Sequence, residues 1–174
     1  NPDKVKYLES RIVNDSKKIG EVCSANLSNY GFMVREPFVG KFKVGNFEFK
    51  LITAHTQPSN NVSELNALEM FYRQVEDESG NKNVIALGDL NAGCTYLKKN
   101  ESIAFRNPRY FWVINDNEDT TVSTTTHCAY DRFVFTSSAK KYYTGKSGIE
   151  KDITSEISDH YLIWTEFRTD LKQE

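Results

Sequence analysis

Three short segments of the chain carry side chains that could hydrolyse a phosphodiester. They are Gly-Asp-Leu-Asn-Ala-Gly-Cys at 88–94, Cys-Ala-Tyr-Asp-Arg at 128–132 and Ser-Asp-His at 158–160, and each lies at or just past the end of an apolar run. Together they supply three aspartates, one asparagine and one histidine. Carboxylate oxygens bind hard divalent cations, and an imidazole transfers protons near neutral pH. The pattern therefore indicates metal-assisted hydrolysis.

Asp89 and Asn91 lie two residues apart just after the apolar run at 84–87. In an extended chain they point to the same side, where they could bind a metal-bound phosphate or orient a water. Gly-Asp-x-Asn is also good turn chemistry, and for this segment alone a turn is the commoner explanation.

Asp159 and His160 precede the apolar run at 161–167 and would face opposite sides of a strand. Asp159 could serve a metal and His160 a proton transfer, although a capped strand start is the commoner explanation for this pair alone. Asp131 opens another strand, and a carboxylate bonded to His160 would fix its tautomer and raise its basicity.

His55 follows the apolar run at 47–54, and a lone histidine there is usually structural. Arg35, in Arg-Glu-Pro at 35–37, could offer a bidentate guanidinium to phosphate, but a surface ion pair is common. The combined set is rich in oxygen donors and suits Mg²⁺. Zinc is disfavoured because the His and Cys residues do not follow the paired ligand spacing of a zinc site.

The composition is typical of a single globular domain with a hydrophobic core. The chain has 174 residues, an apolar fraction of 39% and a formal net charge of −2. That charge excludes a nucleic-acid binder that works through a bulk basic surface. No apolar run is long enough for a membrane-spanning helix. The sequence begins at Asn1 without a signal peptide, so we expect it to be processed, trimmed or cut from something longer.

The apolar patterning predicts a strand-rich chain with one clear helix. The turn at 45–46 predicts a hairpin, and residues 65–75 follow helical spacing between a possible N-cap at Ser63 and a stop at 79–80. The remaining strands are predicted at 84–87, 110–114, 132–135 and 161–167, with a polar loop at 120–126. Residues 5–12 could be helix or strand, and 1–34 look like a connection into a sheet.

The chain has three cysteines, Cys23, Cys94 and Cys128. A Cys94–Cys128 disulfide would stabilise by roughly 3–4 kcal/mol on the chain-entropy model. Composition alone nevertheless favours free buried thiols, and Cys23 is left over in either case.

These motifs occur in the order used by the deoxyribonuclease I family of the endonuclease/exonuclease/phosphatase superfamily, which the chain resembles over roughly residues 35–168. The stretch 119–132 is the most specific part. The resemblance implies an α/β (α+β) fold that is part of a two-sheet β-sandwich with flanking helices. Residues 35–174 would form the C-terminal part of that domain, and 1–34 a connecting segment from an N-terminal half.

The resemblance also implies catalytic roles. His160 resembles the general base that activates the attacking water, with Asp131 as its orienting partner. His55 resembles the second catalytic histidine, which assists protonation of the leaving group. Asp89 and Asn91 resemble the pair that positions phosphate and a metal-bound water.

Two metal sites are implied in the same way. Asp89 and Asp159 resemble carboxylates of a site for Mg²⁺ or Mn²⁺. Asp119, Thr121 and Ser123 resemble a structural calcium loop, which is one residue longer here than in the family.

Arg35 and Tyr130 resemble residues that contact the DNA strand. Cys94 and Cys128 match the family's structural disulfide, which reverses the preference for free thiols. That disulfide points to an oxidising setting and a secreted or extracytoplasmic protein.

The family's first half supplies an asparagine, a metal-binding glutamate and the glutamate that pairs with the histidine matched by His55. Residues 1–34 contain no segment that could supply them. We therefore expect the chain to be inactive alone, or active only with its complement. Exposed sheet surface would favour self-association.

The leading hypothesis is a Mg²⁺-dependent, Ca²⁺-assisted endonuclease that acts on DNA. One alternative is a phosphodiesterase or phosphatase of the same superfamily with a substrate other than nucleic acid, such as a phospholipid headgroup. The other is a family member that only binds protein or nucleic acid.

Overall fold

The computed structural model describes residues 4–13, 33–78 and 80–171. Cys23 and the predicted stop at Ser79 lie outside these ranges. Within them the chain forms eight strands, listed here in order: β1 (Lys6–Ile12), β2 (Phe38–Val44), β3 (Phe47–Thr53), β4 (Val84–Asp89), β5 (Tyr110–Val113), β6 (Asp131–Thr136), β7 (Tyr143–Glu150) and β8 (Leu162–Phe167). The helices are α1 (Asn61–Asp77) and the short α2 (Ser137–Lys140), with single 3₁₀ turns at Pro58–Asn60 and Ala104–Arg106.

Six strands form a central sheet in the order β1-β2-β3-β4-β6-β5. β3 and β4 are parallel, and the other neighbours are antiparallel. A parallel pair needs a crossover, which α1 supplies between β3 and β4. Because β3 and β4 end, and β6 begins, at the same edge of the sheet, polar residues from three chain segments converge there.

The amphipathic helix α1 covers one face of this sheet. Its buried apolar side chains pack against sheet residues that include Ile52, Ala86 and Val134. The helix begins at Asn61 with Asn60 as its N-cap, so the predicted N-cap at Ser63 is wrong. The 3₁₀ turn at Pro58–Asn60 runs directly into the helix and moves its start toward the N-terminus.

The opposite face is covered by a second, two-stranded sheet made of β7 and β8. Phe47, Ile85, Phe133 and Phe135 form the buried centre of this layer, and half-buried side chains such as Ile163 pack against it. Two sheets with an external helix confirm the predicted α/β sandwich.

Most predicted strands are confirmed, with small differences at their ends. Residues 5–12, for which the sequence predicts either helix or strand, contain β1, which pairs with β2. β7 was missed because its sequence, Tyr-Thr-Gly-Lys-Ser-Gly-Ile-Glu, lacks apolar alternation. Among the described residues, no helix is long and apolar enough to cross a membrane.

Candidate active site

The site is built on the paired ends of β4 and β6. Asp89 is the last residue of β4, Asp131 is the first of β6, and the two face each other in the antiparallel register. His160 comes from the chain that leads into β8 and is held by a bridge to Thr121. Its Nδ1 lies 2.6 Å from Asp131 Oδ2. The contact that the sequence could only suggest is therefore present.

His55 reaches the same place from the end of β3. Beyond the strand, Ala54 N–H donates to Leu87 O at 3.1 Å and Thr56 N–H donates to Asp89 O at 3.0 Å. His55 Nε2 then lies 3.4 Å from Asp89 Oδ2. His160 Nε2 lies 3.8 Å from that same oxygen, so Asp89 stands between the two histidines.

This close pairing requires a glycine at position 88. Gly88 has φ of +131°, and a Cβ there would lie 2.1 Å from Ala54 O. Any side chain would push β3 away from β4 at the point where His55 and Asp89 leave the sheet.

The electrostatics follow from these contacts. The hydrogen bond to Asp131 raises the pKa of His160 to about 9, although partial burial opposes the shift. Burial raises the pKa of Asp89, while the N–H of Asn91 works in the other direction. A cation beside this cluster would favour the ionised carboxylates and the neutral imidazole.

Asp89, Asp131 and His160 form a group that could hold a metal ion, with one ligand atom from each lying within 4.8 Å of the others. Two carboxylates and one imidazole suit a hard divalent cation that keeps several waters. Asp159 is exposed and lies outside this group, but its charge also raises the pKa of His160.

Asn91 is buried and adopts a left-handed backbone with φ of +45°. Its N–H donates to Asp89 Oδ1 at 2.9 Å, and its Nδ2 donates to Thr56 O at 2.8 Å. The turn anticipated for Gly-Asp-x-Asn therefore exists, and the same turn orients the Asp89 carboxylate and ties the His55 segment to it.

Two further links hold the segments after β4 and before β6 together. A disulfide joins Cys94 to Cys128, with Cα atoms 5.7 Å apart. This confirms the pairing implied by the resemblance, and the preference for free thiols from composition is wrong. The buried Arg132 guanidinium donates to Ala92 O at 2.7 Å and to Ala129 O at 3.0 Å. No pattern in the sequence indicates this role.

The two residues expected to contact DNA lie in different settings. The Tyr130 ring stacks on Tyr96 with centroids 5.2 Å apart and lies 6.2 Å from the His160 ring. Arg35 is exposed, three residues before β2. An aromatic pair therefore borders the cluster of histidines and aspartates.

The anticipated calcium loop is closed by its own side chains. Asp119 Oδ1 accepts hydrogen bonds from Thr121 N–H at 3.0 Å and Thr121 Oγ1 at 2.7 Å, and Asp119 Oδ2 lies 2.9 Å from His127 Nδ1. Ser123 Oγ accepts from Thr126 N–H at 2.9 Å. The three named side chains thus share one tight loop, in which Asp119 and Ser123 accept local hydrogen bonds and Thr121 Oγ1 donates them.

Sequence reasoning missed two polar residues in the first turn of α1. Asn61 and Glu64 are buried and share the helix face of Leu65 and Leu68. The available signal was spacing, because positions 61, 64, 65 and 68 follow the i, i+3, i+4, i+7 pattern of a core-facing stripe. Polar residues on such a stripe need partners inside the protein.

No protein-family model matches the chain. Homo sapiens deoxyribonuclease-1 is 32% identical over 180 residues, which cover 93% of this chain and 60% of that protein. Homo sapiens deoxyribonuclease gamma is 42% identical over 106 residues, which cover 58% of this chain and 35% of that protein. This chain thus spans about 60% of the length of the deoxyribonuclease-1 proteins it matches.

The fold matches a crystal structure of humanized D. rerio TDP2 with a TM-score of 0.63 at 16% identity, covering 94% of this chain and 67% of that one. At this identity the likeness concerns the fold alone. The sequence relatives, the shared motifs and the two-sheet fold agree: the chain is homologous to deoxyribonucleases of the deoxyribonuclease I type over 93% of its length.

Proposed function

We propose that this chain is part of a divalent-metal-dependent endonuclease that hydrolyses DNA phosphodiester bonds. The observation that carries the proposal is the His160–Asp131 contact of 2.6 Å beside Asp89, with His55 on the other side of that carboxylate. This arrangement offers two proton-transfer groups on either side of the Asp89 carboxylate, beside which a phosphate and its cation would bind. The deoxyribonuclease relatives support DNA as the substrate.

In this mechanism His160 is the general base. Asp131 engages Nδ1, which leaves Nε2 to take the proton from a water that attacks phosphorus. Asp131 then stabilises the imidazolium that forms. As the 3′ oxygen leaves, His55 assists its protonation, and Asn91 holds the Asp89 carboxylate in place.

Asp89, with Asp159 or Asp131, would hold the cation, for which Mg²⁺ or Mn²⁺ fits the oxygen donors. The ion would supply positive charge that stabilises the developing negative charge on the phosphate. We further propose that Asp119, Thr121 and Ser123 hold a structural Ca²⁺. The ion would compete with His127 for the Asp119 carboxylate.

Arg35 and Tyr130 are proposed to contact the DNA backbone and sugar. The exposed Arg35 guanidinium can pair with phosphate, and the Tyr130 ring already borders the histidine cluster. The Cys94–Cys128 disulfide supports a secreted or extracytoplasmic location.

We also propose that residues 35–174 form the C-terminal part of a larger domain, with 1–34 as its connecting segment. The lengths of the relatives support this, since the chain spans 60% of deoxyribonuclease-1. β1 lies within that connecting segment and joins the central sheet, so the segment is part of the fold. A complementary N-terminal half would complete the site, and exposed sheet surface would otherwise favour self-association.

The test is supercoiled-plasmid nicking with Mg²⁺ and Ca²⁺, by the chain alone and mixed with the N-terminal half of a related deoxyribonuclease. We expect His160→Gln and Asp131→Asn each to lower the rate by about 10²- to 10⁴-fold, because each removes part of the base. Hydrolysis of sphingomyelin without nicking would overturn DNA as the substrate. If metal ions changed neither activity nor stability, the non-catalytic alternative would stand.

A further inference from the structure

The first turn of α1 carries two polar side chains that are almost completely buried. Asn61 is 2% exposed and Glu64 is 0% exposed. Burying such groups costs free energy unless each polar atom finds a partner. The partners of both side chains lie on segments that carry residues of the site.

Glu64 bridges the segments of Arg35 and His55. Its Oε1 accepts the N–H of Val34 at 2.9 Å, and its Oε2 accepts the N–H of Gln57 at 2.8 Å. Val34 directly precedes Arg35, and Gln57 follows His55 by two residues. One side chain on a rigid helix therefore sets the distance between these two segments.

Asn61 bridges the segments of His55 and Asp89. Its Oδ1 accepts a hydrogen bond from Thr56 Oγ1 at 2.6 Å. Its Nδ2 donates to Asn91 O at 2.9 Å and to Tyr96 O at 3.3 Å. The backbone hydrogen bonds between the β3 and β4 segments continue as far as Thr56 N–H. Beyond Thr56, the Asn61 side chain on α1 connects the two segments.

We infer that Asn61 and Glu64 are positioning residues that align His55 with Asp89 and with Arg35, a role that rests on the proposed function. Neither side chain is a catalytic group, because each is bonded to backbone or to Thr56 and not to a reacting atom. The helix thereby holds three separate chain segments, those of Arg35, His55 and Asp89, in fixed positions relative to one another.

The decisive comparison is Glu64→Gln against Glu69→Gln. Both are glutamates buried on α1, and both changes keep the side-chain size. In the Glu64→Gln variant, the new amide N–H would face a backbone N–H, which breaks one of the two bridges. Glu69 accepts from Tyr110 Oη at 2.5 Å, away from the site, and glutamine can still accept that bond.

Two readouts separate positioning from stability. Hydrogen exchange of the Val34 and Gln57 amides should be about 10-fold faster in Glu64→Gln and unchanged in Glu69→Gln. At a temperature where both variants are fully folded, Glu64→Gln should lower kcat for plasmid nicking by about 10- to 100-fold, because small misalignments of reacting groups are costly. KM should change less than kcat.

A second pair of variants tests the same inference in case Glu64→Gln does not fold. Asn61→Asp replaces the Nδ2 group, which donates to two carbonyls, with an oxygen that can only accept. The matched control is Asn66→Asp. Asn66 Oδ1 accepts from Ala104 N–H at 2.8 Å, and aspartate can still accept that hydrogen bond. We expect weaker protection of the 89–97 amides, together with slower nicking, in Asn61→Asp alone.

Equal exchange and equal kcat in each site variant and its control would overturn the positioning role. If the unmodified protein does not nick DNA with its complement present, the proposed function fails. In that case, hydrogen exchange and the Mg²⁺ affinity measured by calorimetry still test whether Asn61 and Glu64 align the three segments. Unchanged affinity and unchanged exchange would refute that alignment.

Discussion

The two faces of the central sheet are covered very differently. On one face, α1 buries Leu65, Leu68 and Tyr72 completely. On the other face, the sheet of β7 and β8 leaves Ile163 only half-buried, and its outer side exposes Leu162 by 57% and Trp164 by 43%. The helical layer therefore supplies most of the tightly packed core.

The candidate site draws on both layers. Asp89, Asp131 and His55 extend from the central sheet, whereas His160 arrives on the chain that enters β8. His160 is fixed by Asp131 and by its bridge to Thr121. The comparison indicates that local contacts, and not the packing of the small sheet, hold this histidine in place.

The largest expected effect sharpens the comparison between the two layers. Leu68→Ala should destabilise by about 2–5 kcal/mol because it leaves a cavity in a fully buried position. Ile163→Ala should cost about 1–2 kcal/mol, since its site is half open. Urea unfolding followed by circular dichroism measures both. Equal costs would mean that the small sheet packs as tightly as the helix.

Removal of the disulfide should have the next largest effect. Replacing Cys94 and Cys128 by serine should destabilise by about 2–4 kcal/mol on the chain-entropy model. Arg132 should still hold the two segments together in the folded state, through Ala92 O and Ala129 O. The distance between the segments, measured with spin labels, should therefore stay unchanged. Separation of the segments would show that the disulfide alone aligns them.

The pH dependence tests the contact that fixes His160. Its pKa of about 9 in the folded protein lies above the ordinary value of 6.5. The stabilisation is therefore complete below pH 6.5 and is lost as pH rises through about 9, by about 2 kcal/mol after solvent screening. Unfolding is measured in EDTA across this pH range. The same decline in His160→Gln would show that another group causes it.

The smallest effect on stability is expected at the outer side of β8. Replacing Leu162 by serine should change the free energy of unfolding by about 0.5 kcal/mol, because Leu162 is mostly exposed, and replacing Trp164 should cost about 1 kcal/mol, because its ring also packs over Gly148. The double variant should nevertheless associate less, since exposed apolar patches favour association. Sedimentation velocity of the unmodified protein and of the double variant measures this association. Unchanged association would show that the outer side of β8 is not the contact surface.

Much of the fold was predictable because local signals were strong. Gly45-Asn46 between two apolar runs predicts the β2–β3 hairpin, and the apolar spacing of residues 65–75 predicts α1. β7 was not predictable, because its two glycines and sparse apolar residues carry no period of two. The helix start was misplaced because Ser63 is a good N-cap by type, whereas the preceding 3₁₀ turn decided the boundary.

The candidate site was predictable as a set of residue types but not as an arrangement. The distance between Asp131 and His160 depends on how β6 and the chain before β8 meet, which no local pattern specifies. The roles of Glu64 and Asn61 were not predictable, because a polar residue on an apolar helix stripe gives no indication of its partners. Only the folded chain brings Val34 and Gln57 to one carboxylate.

Gly88 leaves no room for a side chain where β3 and β4 end. A Cβ at that position would meet Ala54 O at 2.1 Å, so even alanine must displace backbone and not merely a flexible side chain. The displacement would fall between His55 and Asp89, while the helical core stays filled. A substitution at Gly88 is therefore expected to disturb the pairing of His55 with Asp89 more than it disturbs the core beneath α1.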